Sequence, residues 1–214
     1  MKVSEEEKNR KLSPAEQKRM DRLDKITEEL ENRGYTRNDR TIDIVKANVV
    51  TVLLSLPVMA VTVGLFFLVN RSGPADSFGK SSFWIFTVSY IVLIVVHELI
   101  HGLTWSIFAP NRWKDIEFGF MAQYLTPYCT CGVPLEKGQY ILGALMPLIV
   151  LGLIPAEVAI FSGSFLLLLI SVVMIMSAGG DVLLVRELLR FRTDAKEQLI
   201  YDHPTQAGCI VFTR

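Results

Sequence analysis

Four apolar stretches dominate the chain from residue 47 onward, and charged segments flank them at both ends. Each stretch has about the ~20 residues that a helix needs to cross the ~30 Å hydrocarbon core of a bilayer. The predicted membrane spans are residues 47–69, 83–108, 140–161 and 165–185. Short polar or small-residue connections join the first span to the second and the third to the fourth. The pattern predicts an all-α membrane protein with four transmembrane helices.

The longer connection between the second and third spans, residues 109–139, has a different pattern. Residues 116–120 and 128–133 alternate between apolar and polar or small side chains, which is typical of strands. We therefore expect a small β-hairpin at the membrane surface. Its edge could receive an extended peptide as an added strand.

The segment before the first span is charged and predicted to be helical. Residues 1–46 carry twelve Lys or Arg and eleven Asp or Glu, and a Ser-Pro pair shortly before Glu16 is a helix-start signal. We expect a cytosolic N-terminal helix in this arm. The expected organisation is thus a charged arm (1–46), a four-helix transmembrane core (47–185) and a cytosolic C-terminal tail (186–214).

The distribution of positive charge predicts the orientation in the membrane. Twelve Lys or Arg precede the first span, three lie in the 109–139 connection and five follow the fourth span, against two at 70–82 and none at 162–164. Cytoplasmic segments of membrane proteins carry such an excess of Lys and Arg. Both termini are therefore expected in the cytosol, and the expected location is the bacterial cytoplasmic membrane.

The second predicted span contains the motif His97-Glu98-Leu99-Ile100-His101. At this spacing on a helix two imidazoles project from one face and can share a tetrahedral metal, while the intervening Glu98 can act as general base on a water. Ionisable groups at this depth in lipid are costly, by about 2.5–3.5 kcal/mol each on insertion scales. A bound Zn²⁺ accounts for them better than hydrogen bonding within a packed bundle, which is the alternative.

A catalytic zinc needs a third protein ligand, for which Asp181 is the leading candidate. At ~1.5 Å per residue, His97 and Asp181 lie about 21 Å and 24 Å along parallel helices, hence at similar depth. Gly179 and Gly180 are expected to let the second and fourth spans approach closely. An ion pair between Asp181 and Arg186 is the alternative interpretation.

Other residues with ligand chemistry are weaker candidates. His203, in the charged tail, competes with Asp181 for the third position, although a lone His before a Pro is more often a turn residue. Glu157 lies at the wrong depth for the metal, near the outer end of the third span. Cys129 and Cys131 form an incomplete metal site and are interpreted as strand residues.

These motifs carry a resemblance to a known family. The chain resembles the zincin peptidases of the DUF3267 family over roughly residues 85–212. The resemblance rests on His97–Gly102, the Cys-x-Cys-x-x-Pro-Leu stretch at 129–135, Met146-Pro147, Gly180-Asp181 and Asp202-His203-Pro204. That family is itself similar to the site-2 proteases, whose core has three spans with H-E-x-x-H in the first and an aspartate ligand in the third.

The resemblance implies that His97, His101 and Asp181 bind zinc and that Glu98 is the base. One departure concerns the third ligand, because site-2 proteases surround their aspartate with Asn-Pro and Asp-Gly, whereas Gly179-Gly180-Asp181-Val182 stands here.

We therefore expect a membrane-embedded, zinc-dependent peptidase acting near the cytosolic face. The expected partners are a peptide or membrane-protein substrate and the lipid bilayer, with a cytosolic protein as a candidate partner of the N-terminal arm. A formal net charge of zero gives no indication of a nucleic-acid partner. Two alternatives stay open: a non-enzymatic, metal-stabilised sensor or scaffold, and a zinc hydrolase of a non-peptide bond.

Overall fold

The computed structural model describes residues 12–42, 44–121 and 126–214. Residues 1–11 of the predicted arm and residues 122–125, at the tip of the predicted hairpin, lie outside that description. The fold is mostly helical (65%) and contains a small antiparallel sheet. The helices are α1 (Pro14–Asn32), α2 (Ile44–Val69), α3 (Lys80–Phe108), α4 (Lys137–Pro147), α5 (Ile154–Ser162), α6 (Phe165–Ser177) and α7 (Gly179–Arg190). The strands are β1 (Thr36–Thr41), β2 (Ile116–Met121), β3 (Thr126–Cys131), β4 (Leu135–Glu136), β5 (Gln198–Asp202) and β6 (Gly208–Thr213).

Three helices of the described chain are long and apolar enough to cross a membrane. They are Ala47–Val69 within α2, the whole of α3, and Lys137–Ser162, in which a π-helical turn at Leu148–Leu153 joins α4 to α5. All three overlap the predicted spans. Large apolar side chains such as Ile91 and Leu103 stay about 60% exposed on α3, as expected for a lipid-facing surface. These helices are consistent with an integral membrane protein, and the side that each terminus faces stays a prediction.

The predicted fourth span is broken. α6 and α7 meet at Ala178 with a bend of 41°, so the number of spans is four only if the bent pair counts as one. Ala178 leaves the helical conformation (φ −77°, ψ 0°), and the two glycines that follow favour a helix less than other residues do. The bend places Asp181 in the first turn of a new helix.

A four-stranded antiparallel sheet joins the two ends of the chain, and the sequence pattern does not predict it. Its strand order is β1-β6-β5-β4, with Thr36 paired to Thr213 and Leu135 paired to Ile200. The strands β1 and β6 thus connect the N-terminal arm with the C-terminal tail. The division into arm, core and tail stays a prediction, but the segments at both ends form one sheet beside the helices.

Both faces of this sheet are buried at β6. Alternate residues of β6 point in opposite directions: Cys209 and Val211 pack in the cluster that includes Trp105, while Ile210 and Phe212 pack against α1. Burial on both faces explains why β6 is apolar from Cys209 to Phe212 and does not alternate.

The helix α1 begins as predicted. Ser13 and Glu16 form a capping box in which each side chain accepts a hydrogen bond from the other residue's backbone N–H, and Pro14 occupies the first helical position. Leu23 and Leu30 are buried against the outer face of the sheet. α1 is therefore a docked helix.

The predicted hairpin is present as β2 and β3, paired antiparallel from Ile116↔Cys131 to Met121↔Thr126. It packs on α3 beside Gly102, where an added Cβ would lie 2.7 Å from Cζ of Phe118 and 2.9 Å from Cγ2 of Ile116. Only glycine leaves room for this approach. The hairpin therefore lies directly beside the H-E-x-x-H motif.

Candidate metal centre

His97 and His101 lie one helical turn apart on the buried side of α3. They are 7% and 4% exposed, and their ring centroids are 4.9 Å apart. Side chains four residues apart share one face of a helix. The motif therefore presents both imidazoles toward the interior, as its spacing predicts.

Asp181 approaches the two histidines from the first turn of α7. Its Oδ2 lies 3.1 Å from Nε2 of His97, and its Oδ1 lies 3.5 Å from Nε2 of His101. Within the described residues, these three side chains form a group whose ligand atoms all lie within 4.8 Å of one another. His97, His101 and Asp181 could therefore hold a metal ion.

The two glycines before Asp181 differ in their surroundings. A Cβ on Gly179 would lie 2.4 Å from Cγ2 of Thr51 and 2.7 Å from Oγ of Ser55, both in α2. A Cβ on Gly180 would meet no neighbouring heavy atom within 4 Å. The expectation that both glycines bring the second and fourth spans together needs correction. Gly179 alone permits the close approach, and its neighbour is the first span.

The hydrogen bonding of the histidines fits a bound cation. Nδ1 of His101 lies 2.9 Å from the carbonyl oxygen of Gly143, so Nδ1 carries the hydrogen, and in the neutral imidazole Nε2 directs a lone pair toward Asp181. These two acceptors repel each other unless a proton or a metal ion lies between them. Among the described residues, Nδ1 of His97 is buried without a hydrogen-bond partner, so this atom is unsatisfied whether Nε2 donates to Asp181 or binds a metal.

The donor set also suits zinc. Two imidazoles and one carboxylate are common zinc ligands, and neighbouring ligands of a tetrahedral zinc with bonds of ~2.0–2.1 Å lie roughly 3.3 Å apart. The separations of 3.1 and 3.5 Å between the histidine nitrogens and Asp181 are close to this value. The residues present therefore fit the metal that the motif predicts.

Glu98 lines a cavity of about 400 Å³ together with the three candidate ligands. The backbone N–H of Cys129 in β3 donates to its carboxylate. Pro127 has no N–H, so its pair with Phe120 is a non-hydrogen-bonded pair. Because pair types alternate along an antiparallel ladder, the pair between Cys129 and Phe118 is of the same type. The N–H of Cys129 therefore points away from β2. The edge of β3 thus holds the Glu98 carboxylate beside the cavity.

The weaker ligand candidates are not brought into the metal group. His203 lies between β5 and β6 and lines the same cavity, but its Nδ1 accepts hydrogen bonds from the backbone N–H groups of Thr205 and Gln206, at 3.4 and 3.0 Å. Burial lowers the pKa of its imidazole. His203 is therefore a turn residue in this fold.

The alternative ion pair for Asp181 is not formed, since Arg186 pairs with Glu187 at 3.0 Å. Glu157 is an exposed residue of α5. Cys129 and Cys131 are strand residues with free thiols, as predicted. Burial raises the pKa of both thiols, that of Cys131 to about 12.

Sequence reasoning missed a second layer of residues behind His101, namely Trp105, Tyr140, Gly143 and Asp202. Trp105 and Gly143 stand within apolar spans, where nothing distinguishes them from packing residues. In the sequence, Asp202 stands out only as part of the Asp-His-Pro motif. Only their proximity to His101 in the folded structure identifies these four residues as part of the site.

Comparison with protein-family models identifies DUF3267, described as "Putative zincin peptidase", over residues 90–196. This match covers half of the 214 residues. The chain belongs to this family. No curated protein and no solved structure matches this chain. Membership implies zinc as the metal and supports zinc metalloprotease as the general class.

Proposed function

We propose that this protein is a membrane-embedded zinc peptidase that hydrolyses peptide bonds at or within the membrane, near the cytosolic face, with Glu98 as general base. The observation that carries the proposal is the convergence of His97, His101 and Asp181 in one cavity that Glu98 also lines. A similar arrangement, with H-E-x-x-H in one span and an aspartate in a later span, is expected from the resemblance to site-2 proteases.

The chain's own residues have distinct roles in this chemistry. His97, His101 and Asp181 would hold the metal, which when bound supplies a Lewis acid that polarises the scissile carbonyl and activates water. The Glu98 carboxylate takes a proton from the attacking water and returns it to the leaving amine nitrogen. The N–H of Cys129 keeps that carboxylate oriented toward the cavity.

The proposed substrate is an extended peptide. Residues 126–130 of β3 line the cavity, and the carbonyl groups of Pro127 and Cys129 point away from β2 by the same register argument. Amide N–H groups of a substrate can donate to them, although the Cys129 N–H is already used by Glu98. A helical membrane segment would have to unwind first, because its backbone amides are satisfied within the helix.

The proposed depth follows from the position of the motif in α3. His97 stands eleven residues before the end of α3 at Phe108, or roughly 16 Å along the helix. The hairpin and the sheet lie at that same end. If that end faces the cytosol, as the positive-charge distribution predicts, His97 lies in the cytosolic half of the 29-residue helix, which is roughly 43 Å long.

Replacing Glu98 by Gln tests the proposal. The variant should keep zinc, because the three ligands are unchanged, but it should lose about 10²–10⁴-fold in turnover of unfolded membrane peptides, since general base catalysis contributes that much. The measurement is peptide hydrolysis by detergent-purified protein, with zinc content determined on the same sample. Glu157→Gln is the matched control, because it makes the same chemical change at an exposed residue.

Three results would contradict the proposal. Full hydrolytic activity in Glu98→Gln would show that Glu98 is not the general base. Zinc-loaded protein that cleaves no peptide would favour a metal-stabilised sensor or scaffold. Hydrolysis of lipid esters or amides without peptide cleavage would favour the non-peptide hydrolase instead.

A further inference from the structure

Three aromatic rings form a continuous stack behind the metal centre. The His101 imidazole stacks on the Trp105 indole with 5.1 Å between ring centroids and 14° between planes. Trp105 in turn stacks on Tyr140 at 5.3 Å and 22°. The orientation of the His101 ring is therefore set by direct contact with Trp105, which is itself stacked on Tyr140.

Backbone contacts fix the same group from the side. Nε1–H of Trp105 donates to the carbonyl oxygen of Tyr140 at 3.2 Å, and the carbonyl of Gly143 accepts from Nδ1 of His101. A Cβ on Gly143 would lie 2.0 Å from Nε1 of Trp105. α4 thus meets α3 closely here, and Tyr140, Trp105 and His101 form one chain of direct contacts.

The far end of the stack is held by Asp202, at the end of β5. Its Oδ1 accepts a hydrogen bond from the Tyr140 hydroxyl, and its Oδ2 accepts one from Thr130 Oγ1 at 2.8 Å. The backbone N–H of Cys131 is a third donor. A carboxylate that receives three donors is a rigid acceptor, because each bond restrains the same group.

We propose that Asp202 is a positioning residue for the metal centre: it anchors the Tyr140 hydroxyl, and the stacked rings transmit that anchor to the His101 imidazole. The C-terminal sheet thereby takes part in metal binding although Asp202 is not a ligand. The inference rests on the proposed function only in taking zinc as the metal. Groups that orient a ligand in this way alter metal affinity by about 10–100-fold when removed.

The test compares Tyr140→Phe and Asp202→Asn with the wild type. Tyr140→Phe keeps the stacked ring and removes only the hydroxyl, and Asp202→Asn keeps an acceptor oxygen while removing the charge. Tyr35→Phe is the matched control, because Tyr35 also donates its hydroxyl to a carboxylate, that of Glu197, on the face of the sheet that packs against α1. All variants are purified in detergent and titrated with zinc against a competing chelator.

We expect Tyr140→Phe to weaken zinc binding about 10–100-fold, Asp202→Asn to weaken it less, and Tyr35→Phe to leave it unchanged. The double variant of Tyr140 and Asp202 should lose no more affinity than Tyr140→Phe, because both act through one contact. The visible spectrum of the Co²⁺-substituted protein should shift in Tyr140→Phe and not in Tyr35→Phe, since it reports ligand geometry.

Two outcomes would overturn the inference alone. One is wild-type zinc affinity in both Tyr140→Phe and Asp202→Asn, and the other is an equal loss in Tyr140→Phe and Tyr35→Phe, which would indicate general destabilisation. A wild-type protein that binds no zinc would instead overturn the proposed function and this inference together.

Discussion

Replacing Gly179 by alanine should push α7 away from α2 and displace Asp181, two residues further along. The new Cβ would lie 2.4 Å from Cγ2 of Thr51, where ordinary contact begins at 3.4 Å. The Thr51 methyl or the whole helix must therefore move by about 1 Å, and the Thr51 carbonyl oxygen, at 3.1 Å, limits how far side-chain rotation can help.

The neighbouring Gly180 provides the control. Its Cβ would meet nothing within 4 Å, so Gly180→Ala gains the helix propensity of alanine, up to about 1 kcal/mol, without a clash. Gly179→Ala has the same gain but adds overpacking, which typically costs about 1–3 kcal/mol. The two variants should therefore differ by about 1–3 kcal/mol in free energy of unfolding.

Thermal unfolding in detergent and zinc titration measure the two consequences. A difference of 1 kcal/mol shifts the Tm of a protein of this size by about 2–4 °C, so Gly179→Ala should unfold at a clearly lower temperature than Gly180→Ala. It should also bind zinc more weakly, because Asp181 is displaced. Equal Tm and equal zinc affinity in the two variants would refute the account of how α2 positions the third ligand.

Two further predictions concern the parts around the site. Leu23→Ala should weaken the docking of α1 by about 2–5 kcal/mol, since Leu23 is fully buried against the sheet. Trypsin should therefore cleave α1 faster in this variant than in Asp24→Ala, a control substitution at an exposed residue. Equal cleavage rates in the two variants would contradict the docking. Cys131 and Cys209 should react slowly with iodoacetamide at pH 8, because burial raises both thiol pKa values to about 12 and leaves little thiolate. Rapid labelling of the native protein, measured by mass spectrometry, would contradict that burial.

Much of the site could be predicted from the sequence because its signals are local. The spacing of His97 and His101 fixes their common helix face, and the capping box before Glu16 fixes the start of α1. The depths of His97 and Asp181 along two spans predict that they lie near each other, and this prediction needs only the rise of a helix. Each of these inferences depends on residues close in sequence or on a regular geometry.

The sheet could not be predicted in the same way. β1 is charged and polar and has no apolar face, and its partner β6 lies at the opposite end of the chain. β6 is apolar from Cys209 to Phe212 because it is covered on both sides, so it lacks the alternation that indicates a strand. The bend at Ala178 and the contact between Tyr140 and Asp202 likewise depend on tertiary packing.

The central claim is that His97, His101 and Asp181 hold one divalent metal. Metal analysis of the purified wild type beside His97→Ala, His101→Ala, Asp181→Ala and His203→Ala tests it most directly. We expect stoichiometric zinc in the wild type and in His203→Ala, and its loss in the other three variants. A folded wild type without metal, or zinc retained in Asp181→Ala but lost in His203→Ala, would contradict the assignment of the site.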